Sequence, residues 1–262
     1  MMKERIIRFS NRAFAVQFWI MTFVQNLVSF FMGGEKCLCC SKRTLRIPLC
    51  RSCLPKINVP GFVHACSKCG RELISEIDVC SYCREEPALE SIDGAFSLNG
   101  YQLWKKSLLF AWKMADKRTL SPYFASIFYK KLKSLEESMG LPLPVVPVPP
   151  RPGKIRERGW DQIDELCYYL RKGWGVQILP VLERLSHVQQ KKLDRLQRIE
   201  GISSSYRLKN WRKIKKILPV VPEALVLADD VLTTGSTIEA CARELKKLGA
   251  KKVFSITLFV VD

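Results

Sequence analysis

The stretch from Ala224 to Val261 constrains this chain more than any other part of it. Ala224 to Ala228 is an apolar run with little polar content, as a buried parallel strand requires. It ends in two adjacent carboxylates, Asp229 and Asp230. The small, hydroxyl-rich turn Val231-Leu232-Thr233-Thr234-Gly235-Ser236-Thr237 follows. From Thr237 onward Ile238, Cys241, Ala242, Leu245 and Leu248 recur at three- and four-residue steps and share one helical face. Lys246 and Lys247 fall in the last turn, and Gly249 stands where a left-handed cap belongs. Val253 to Val261 reads as a second long strand. The spacing predicts a β-α-β unit in an α/β fold with a parallel sheet. Its unusual residues sit at the carboxyl end of the first strand, where open α/β sheets bind ligands. The carboxylates can accept hydrogen bonds from two neighbouring sugar hydroxyls. The turn offers N–H groups and hydroxyls to a phosphate at a helix start, where the dipole favours an anion. Together they describe a site for a ribose 5-phosphate. The bland alternative is an ordinary strand–turn–helix with a solvated acid pair. A dinucleotide loop is the other, but no G-x-G-x-x-G occurs here.

The cysteines set the second constraint. Eight of the eleven form four C-x-x-C pairs: Cys37/Cys40, Cys50/Cys53, Cys66/Cys69 and Cys80/Cys83. A two-residue gap points both thiolates at one metal ion from a tight turn, and two such knuckles complete a tetrahedral zinc site. Sequential pairing gives two ribbons, Cys37/Cys40/Cys50/Cys53 and Cys66/Cys69/Cys80/Cys83; crossed pairing is also open. A disulfide framework is the other use of such pairs, but a sugar-phosphate site belongs to a reducing, cytoplasmic compartment. Four thiolates per ion leave no open coordination position, so the zinc is expected to be structural and to supply folding energy. Cys39 is a spare thiol, His64 is expected on the surface, and Cys167 and Cys241 in the core.

Charge marks two further segments. The formal net charge of +18 points to anionic partners. Leu143 to Val148 reads as a buried strand that ends among Pro147, Pro149, Pro150 and Pro152. Arg151, Lys154, Arg156 and Arg158 follow, and Gly159-Trp160-Asp161-Gln162 opens a helix. A stiff, cationic loop after a strand suits a pyrophosphate, although a solvated basic turn has the same composition. Arg184 to Lys216 carries eleven Lys/Arg against two acids, and Ser186 to Ser205 within it is a candidate lid. A basic groove for single-stranded DNA would look the same. At the amino end, Lys3, Arg5, Arg8 and Arg12 precede an apolar stretch, residues 13–32, striped by Thr22, Gln25, Asn26 and Ser29. This predicts an amphipathic helix over 1–34, docked on protein or in contact with a membrane surface, rather than a spanning segment. The expected organisation is 1–34 helix, 35–90 double zinc ribbon and 91–262 α/β domain.

The run Leu227-Ala228-Asp229-Asp230-Val231-Leu232-Thr233-Thr234-Gly235-Ser236-Thr237 resembles the phosphoribosyl pyrophosphate (PRPP) signature of type I phosphoribosyltransferases. Tandem C-x-x-C ribbons, the Pro-Val-Pro strand with Arg156-Glu157-Arg158-Gly159-Trp160-Asp161-Gln162, and this signature stand in the order found in the ComF family. There a double zinc ribbon is fused to a phosphoribosyltransferase-like sheet with flanking helices. Asp161 replaces the family's usual Asn, Gly201 a usual Asn and Ser204 a usual Gly. The resemblance implies that Asp229 and Asp230 hold the ribose 2- and 3-hydroxyls, that Thr233 to Thr237 wrap the 5-phosphate, and that Val231 and Leu232 also belong to the PRPP site. It also implies that Arg151, Lys154, Arg156 and Arg158 serve the pyrophosphate, with Mg²⁺ as cofactor and Gln190, Arg195 and Arg198 in a lid. The implied function is phosphoribosyl transfer to an unnamed acceptor, linked to DNA uptake. A DNA-binding adaptor of the uptake machinery and a PRPP-sensing regulator on the same fold are the alternatives.

Overall fold

In this computed structural model the described residues are 24, 27, 31, 34–44, 47–56, 64–85, 89–100, 104–185 and 205–261. In chain order they form β1 (Glu35–Lys36), β2 (Arg43–Thr44), α1 (Ser81–Glu85), β3 (Gly94–Ser97), α2 (Trp104–Lys113), α3 (Ser121–Met139) and β4 (Val145–Pro147). Then come α4 (Lys154–Arg158), α5 (Gln162–Trp174), β5 (Leu182–Arg184), β6 (Tyr206–Leu208), α6 (Trp211–Ile217), β7 (Ala224–Leu232), α7 (Ser236–Leu248) and β8 (Lys252–Val260). The central sheet has the order β3-β8-β7-β4, and every neighbouring pair is parallel. The β-α-β unit expected from the sequence is β7-α7-β8, and the first strand runs four residues further than its apolar stretch. Val231 and Leu232 still pair with Phe259 and Val260, so the acid pair lies inside the strand rather than beyond it.

Helices cover both faces, which is why β7 and β8 read as nearly unbroken apolar runs. Alternate residues of β7 go to opposite sides. Ala224, Val226 and Ala228 join Leu108, Trp112, Phe124, Phe128 and Leu166 of α2, α3 and α5. Leu225 and Leu227 join Ile238, Cys241, Ala242 and Leu245 of α7. Pro122 lies in the first turn of α3, where its missing N–H costs nothing. Val176 to Leu179 reads as a strand in sequence, but only Ile178 makes a bridge, to Val145. Val145 N–H donates to the Gln177 carbonyl at 2.9 Å and Leu179 N–H to the Val145 carbonyl at 2.8 Å, and Pro180, which has no N–H, follows. Cys167 and Cys241 are buried.

Most of the amino-terminal stretch 1–34 lies outside the described residues. Val24, Leu27 and Phe31 are helical and exposed. Among the described residues no helix is long and apolar enough to cross a membrane.

Candidate functional site

Adjacent residues of a strand point to opposite faces, and the acid pair obeys this. Asp230 turns toward α2 and meets Lys113 Nζ at 2.7 Å. Asp229 Oδ1 accepts the Asp230 backbone N–H at 2.8 Å. Burial and the neighbouring Asp230 carboxylate push the Asp229 carboxyl up to about 8, against the pull of that backbone N–H and of Lys113. Two carboxylates this close disfavour ionising together, which is the second cause of the rise at Asp229, and Lys113 is the cation paired with Asp230.

The turn has the form a phosphate site needs. Gly235 sits just before α7 with φ +86°, a left-handed conformation that a residue with a Cβ resists. Thr233 and Thr234 are exposed, and Gly235 is buried beneath them. The hydroxyls of Thr234 and Ser236 are 2.8 Å apart. Thr237 stands beside the Tyr206 hydroxyl and opposes the rise that burial gives it, so the start of α7 faces β6.

The cationic loop between β4 and α5 reaches the same place. Val148 N–H donates to the Ala228 carbonyl at 3.0 Å, so the loop leaves the sheet beside the acid pair. Arg158 Nη2 donates to the Lys113 carbonyl at 2.6 Å, which links the loop through α2 to Asp230. Lys154 Nζ lies 2.5 Å from Asp161 Oδ2 and also donates to Gln162 Oε1. Asp161 in turn caps α5, accepting from Ile163 and Asp164 N–H at 2.9 and 3.1 Å. Asp161 therefore does what an Asn would do as a cap and adds a charge for Lys154. Arg151 pairs with Glu157. Arg156 is exposed and has no carboxylate partner among the described residues. The proposed lid residues Gln190, Arg195 and Arg198, with His187, lie outside the described residues.

The cysteine pairs resolve into the sequential arrangement. Cys37, Cys40, Cys50 and Cys53 form one group and Cys66, Cys69, Cys80 and Cys83 the other, with all ligand atoms of a group within 4.8 Å of one another. Sγ–Sγ separations of 3.5 Å (Cys40–Cys50) and 3.7 Å (Cys69–Cys80) match the edge of about 3.8 Å of a tetrahedron with Zn–S bonds of about 2.3 Å. They are far too long for disulfides, and none of the cysteines is bridged. Burial opposes ionisation of Cys66, but backbone N–H groups of Cys80, Cys69 and Lys68 outweigh it and bring the thiol down to about 7. Both groups can hold zinc. Cys39 and the exposed His64 stand outside them.

Sequence patterns did not reveal four residues that the structure places at the site. Lys113 holds Asp230, and Asp116 accepts from Trp160 Nε1 at 2.9 Å. Arg71, beside the second cysteine group, donates to the Thr233 carbonyl at 2.8 Å. Glu239, buried on α7, accepts from the N–H groups of Glu90 and Ser91 at 3.0 and 2.9 Å. None of the four belongs to a spaced motif. A polar residue on the buried face of α7 is the one signal that would have marked Glu239.

Comparison with known proteins gives the same arrangement a context. The chain is 26% identical over 211 residues to competence protein F of Haemophilus influenzae, covering 78% of this chain and 87% of the relative. It is 26% identical over 206 residues to the DNA utilization protein YhgH of Salmonella typhi, covering 72% and 86%. With competence protein ComFC of Streptococcus pneumoniae the identity is 27% over 139 residues, 53% and 56% of the two chains. No family model matches the chain.

Proposed function

We propose that this chain is a ComF-family protein and that it acts in competence or DNA utilisation by binding PRPP at the carboxyl end of β7. The observation that carries the proposal is the meeting of the acid pair, the Gly235 turn and the cationic loop, joined through Lys113 and Asp161. Asp229 and Asp230 would take the ribose hydroxyls, with Lys113 giving up Asp230 or turning to the ligand. The N–H groups and hydroxyls of Thr233 to Thr237 would take the 5-phosphate. Arg156 is open to the pyrophosphate, whereas Arg151, Lys154 and Arg158 must exchange their present partners for it.

The reaction we propose is displacement at the anomeric carbon with pyrophosphate leaving. Negative charge then grows on the leaving group, where Arg156 and Arg158 can meet it. Positive charge grows at the sugar ring, beside Asp229 and Asp230. Mg²⁺, held largely through substrate oxygens, would neutralise the pyrophosphate further. The division into a ribbon module, residues 35–90, and a phosphoribosyltransferase domain, residues 91–262, is part of the same proposal.

The test is titration calorimetry of the full chain with PRPP and Mg²⁺, followed by an assay for pyrophosphate release. Wild type should bind, and Asp229→Ala with Asp230→Ala should weaken binding by about a hundredfold or more, the loss of two hydrogen-bonding carboxyl groups. Absence of binding by a folded wild type overturns the proposal.

A second reading rests on α6. Its Arg212, Lys213, Lys215 and Lys216 are exposed, and so is Trp211, with Lys215 Nζ 5.5 Å from its ring. Cations flanking an exposed aromatic are what a single-stranded nucleic acid binds through phosphate contacts and base stacking. DNA binding that falls steeply with salt, drops on Trp211→Ala and ignores the Asp229 and Asp230 substitutions would establish it as a separate activity.

A further inference from the structure

Arg71 belongs to two structures at once. Its carbonyl accepts the Cys66 N–H at 2.8 Å and so closes the first knuckle of the second cysteine group. Its guanidinium Nη2 donates to the Thr233 carbonyl at 2.8 Å, across to the turn before α7. The same guanidinium lies 4.5 Å from the ring centroid of Tyr82, between Cys80 and Cys83, while its Nε–H is buried without a partner. Cys69, Tyr82 and Cys83 line one wall of a narrow cleft whose other wall is Thr233, Thr234 and Gly235. The knuckle lies directly against the edge strand of the sheet. A Cβ at Gly70 would stand 2.6 Å from the Ala95 carbonyl of β3, so the backbone there is already at closest approach.

A peptide unit is planar and trans, so fixing one carbonyl fixes the next N–H in the opposite direction. Arg71 holds the Thr233 carbonyl toward the cysteine group, and the Thr234 N–H is thereby turned away from it. From this geometry we infer that Arg71 is a positioning residue for the turn, and that metal in the second cysteine group holds Arg71 in place. Metal occupancy at Cys66/Cys69/Cys80/Cys83 then sets the geometry of Thr233 to Gly235, and metal at Cys37/Cys40/Cys50/Cys53 does not. The consequence for ligand binding rests on the reading of that turn as the 5-phosphate site.

The experiment uses the full zinc-loaded chain as wild type, Arg71→Ala and Arg71→Lys, with Cys83→Ser and Cys40→Ser as one ligand variant from each group. Three quantities are read: zinc per chain, backbone order parameters of Thr233 to Gly235 without ligand, and PRPP affinity in Mg²⁺. Arg71→Ala should keep its zinc while the order parameters fall from about 0.85 to below about 0.6. Affinity should fall about tenfold, the factor for one charge-assisted hydrogen bond. Arg71→Lys, which keeps the charge but not the planar fork, should fall between the two. Cys83→Ser should loosen the turn as Arg71→Ala does, and Cys40→Ser should leave it rigid. An Arg71→Ala turn as rigid as wild type, or a Cys40→Ser turn as loose as that of Cys83→Ser, overturns the inference. The arginine variants decide it alone if Cys83→Ser does not fold. A wild type that fails to bind PRPP, with the turn loosened in Arg71→Ala, defeats the reading of the site and leaves the positioning role standing. Normal PRPP binding with an unchanged turn in Arg71→Ala does the reverse.

Discussion

The two cysteine groups share a motif and the same four-thiol geometry, yet they are built into the molecule in different ways. Cys37, Leu49 and Cys53 of the first pack into the core formed by α2, α3 and α5. Its polar tie to that core is an ion pair, Lys117 Nζ to Glu35 Oε2 at 2.9 Å. Cys66, Cys69, Leu73 and Cys80 of the second pack with Leu225, Leu232 and Ile238 on the other side of the sheet. Its ties are Arg71 to Thr233 and, just beyond it in sequence, Ser91 to the buried Glu239. A C-x-x-C pair says that metal can bind. Which part of the protein feels the metal is decided by the few side chains that leave the knuckle. The first group staples the helical face, whereas the second reaches the end of β7.

The largest test of this contrast removes a buried ligand from each group. Cys37→Ser and Cys69→Ser should each lower the zinc content from two ions per chain toward one and lower Tm sharply. Structural zinc is worth about 10–16 kcal/mol in isolated finger peptides, and here part of that support comes from the shared core. Only Cys69→Ser should also weaken PRPP binding in the fraction that stays folded. Metal analysis, thermal unfolding and calorimetry measure the three effects. Equal loss of ligand binding in both variants would erase the distinction between the groups.

The next test stays beside the second group and leaves its metal alone. Glu239 is 5% exposed and accepts from Glu90 N, Ser91 N and Ser91 Oγ at 3.0, 2.9 and 2.7 Å. Arg243 Nε, 3.2 Å away, supplies the counter-charge from one turn along α7. Glu239→Ala strands those donors and should cost about 2–4 kcal/mol, read as a lower urea midpoint with unchanged slope. A cost below about 1 kcal/mol would mean that water replaces the carboxylate, and that the segment after the second group is not anchored through α7.

The contrast between the groups also shows what a sequence can reveal. The β7-α7-β8 unit was legible because a buried parallel strand, a 3.6-residue period and a glycine cap each leave a local trace, and these agree. The cysteine ligands were legible because their spacing is itself the geometry. The pairing of knuckles was not, since sequential and crossed partners have the same local pattern. The residues that connect the site were not legible either. Lys113, Arg71 and Glu239 act across long stretches of chain, on Asp230, Thr233 and Ser91. Lysine, arginine and glutamate on helices and loops are ordinary in composition, and only their three-dimensional neighbours make them special. Asp161 shows the converse: a departure from the family's usual residue finds a partner, Lys154, that sequence alone does not assign.

The smallest effect is expected at the first group's ion pair, and its smallness is informative. Lys117 and Glu35 side chains are 40% and 22% exposed, so solvent screens the pair and both side chains lose rotamer freedom to form it. Lys117→Ala should therefore change stability by less than about 1 kcal/mol, and the change should shrink further as salt rises. Zinc content and ligand affinity should stay at wild-type values, because the first group is held by apolar contacts of Cys37, Leu49 and Cys53 that the substitution does not touch. Denaturant titration at low and high salt reads the difference directly. If Lys117→Ala instead released zinc from the first group, that cluster would hang on one polar tether, and the apolar contacts of Cys37, Leu49 and Cys53 would not be what holds it.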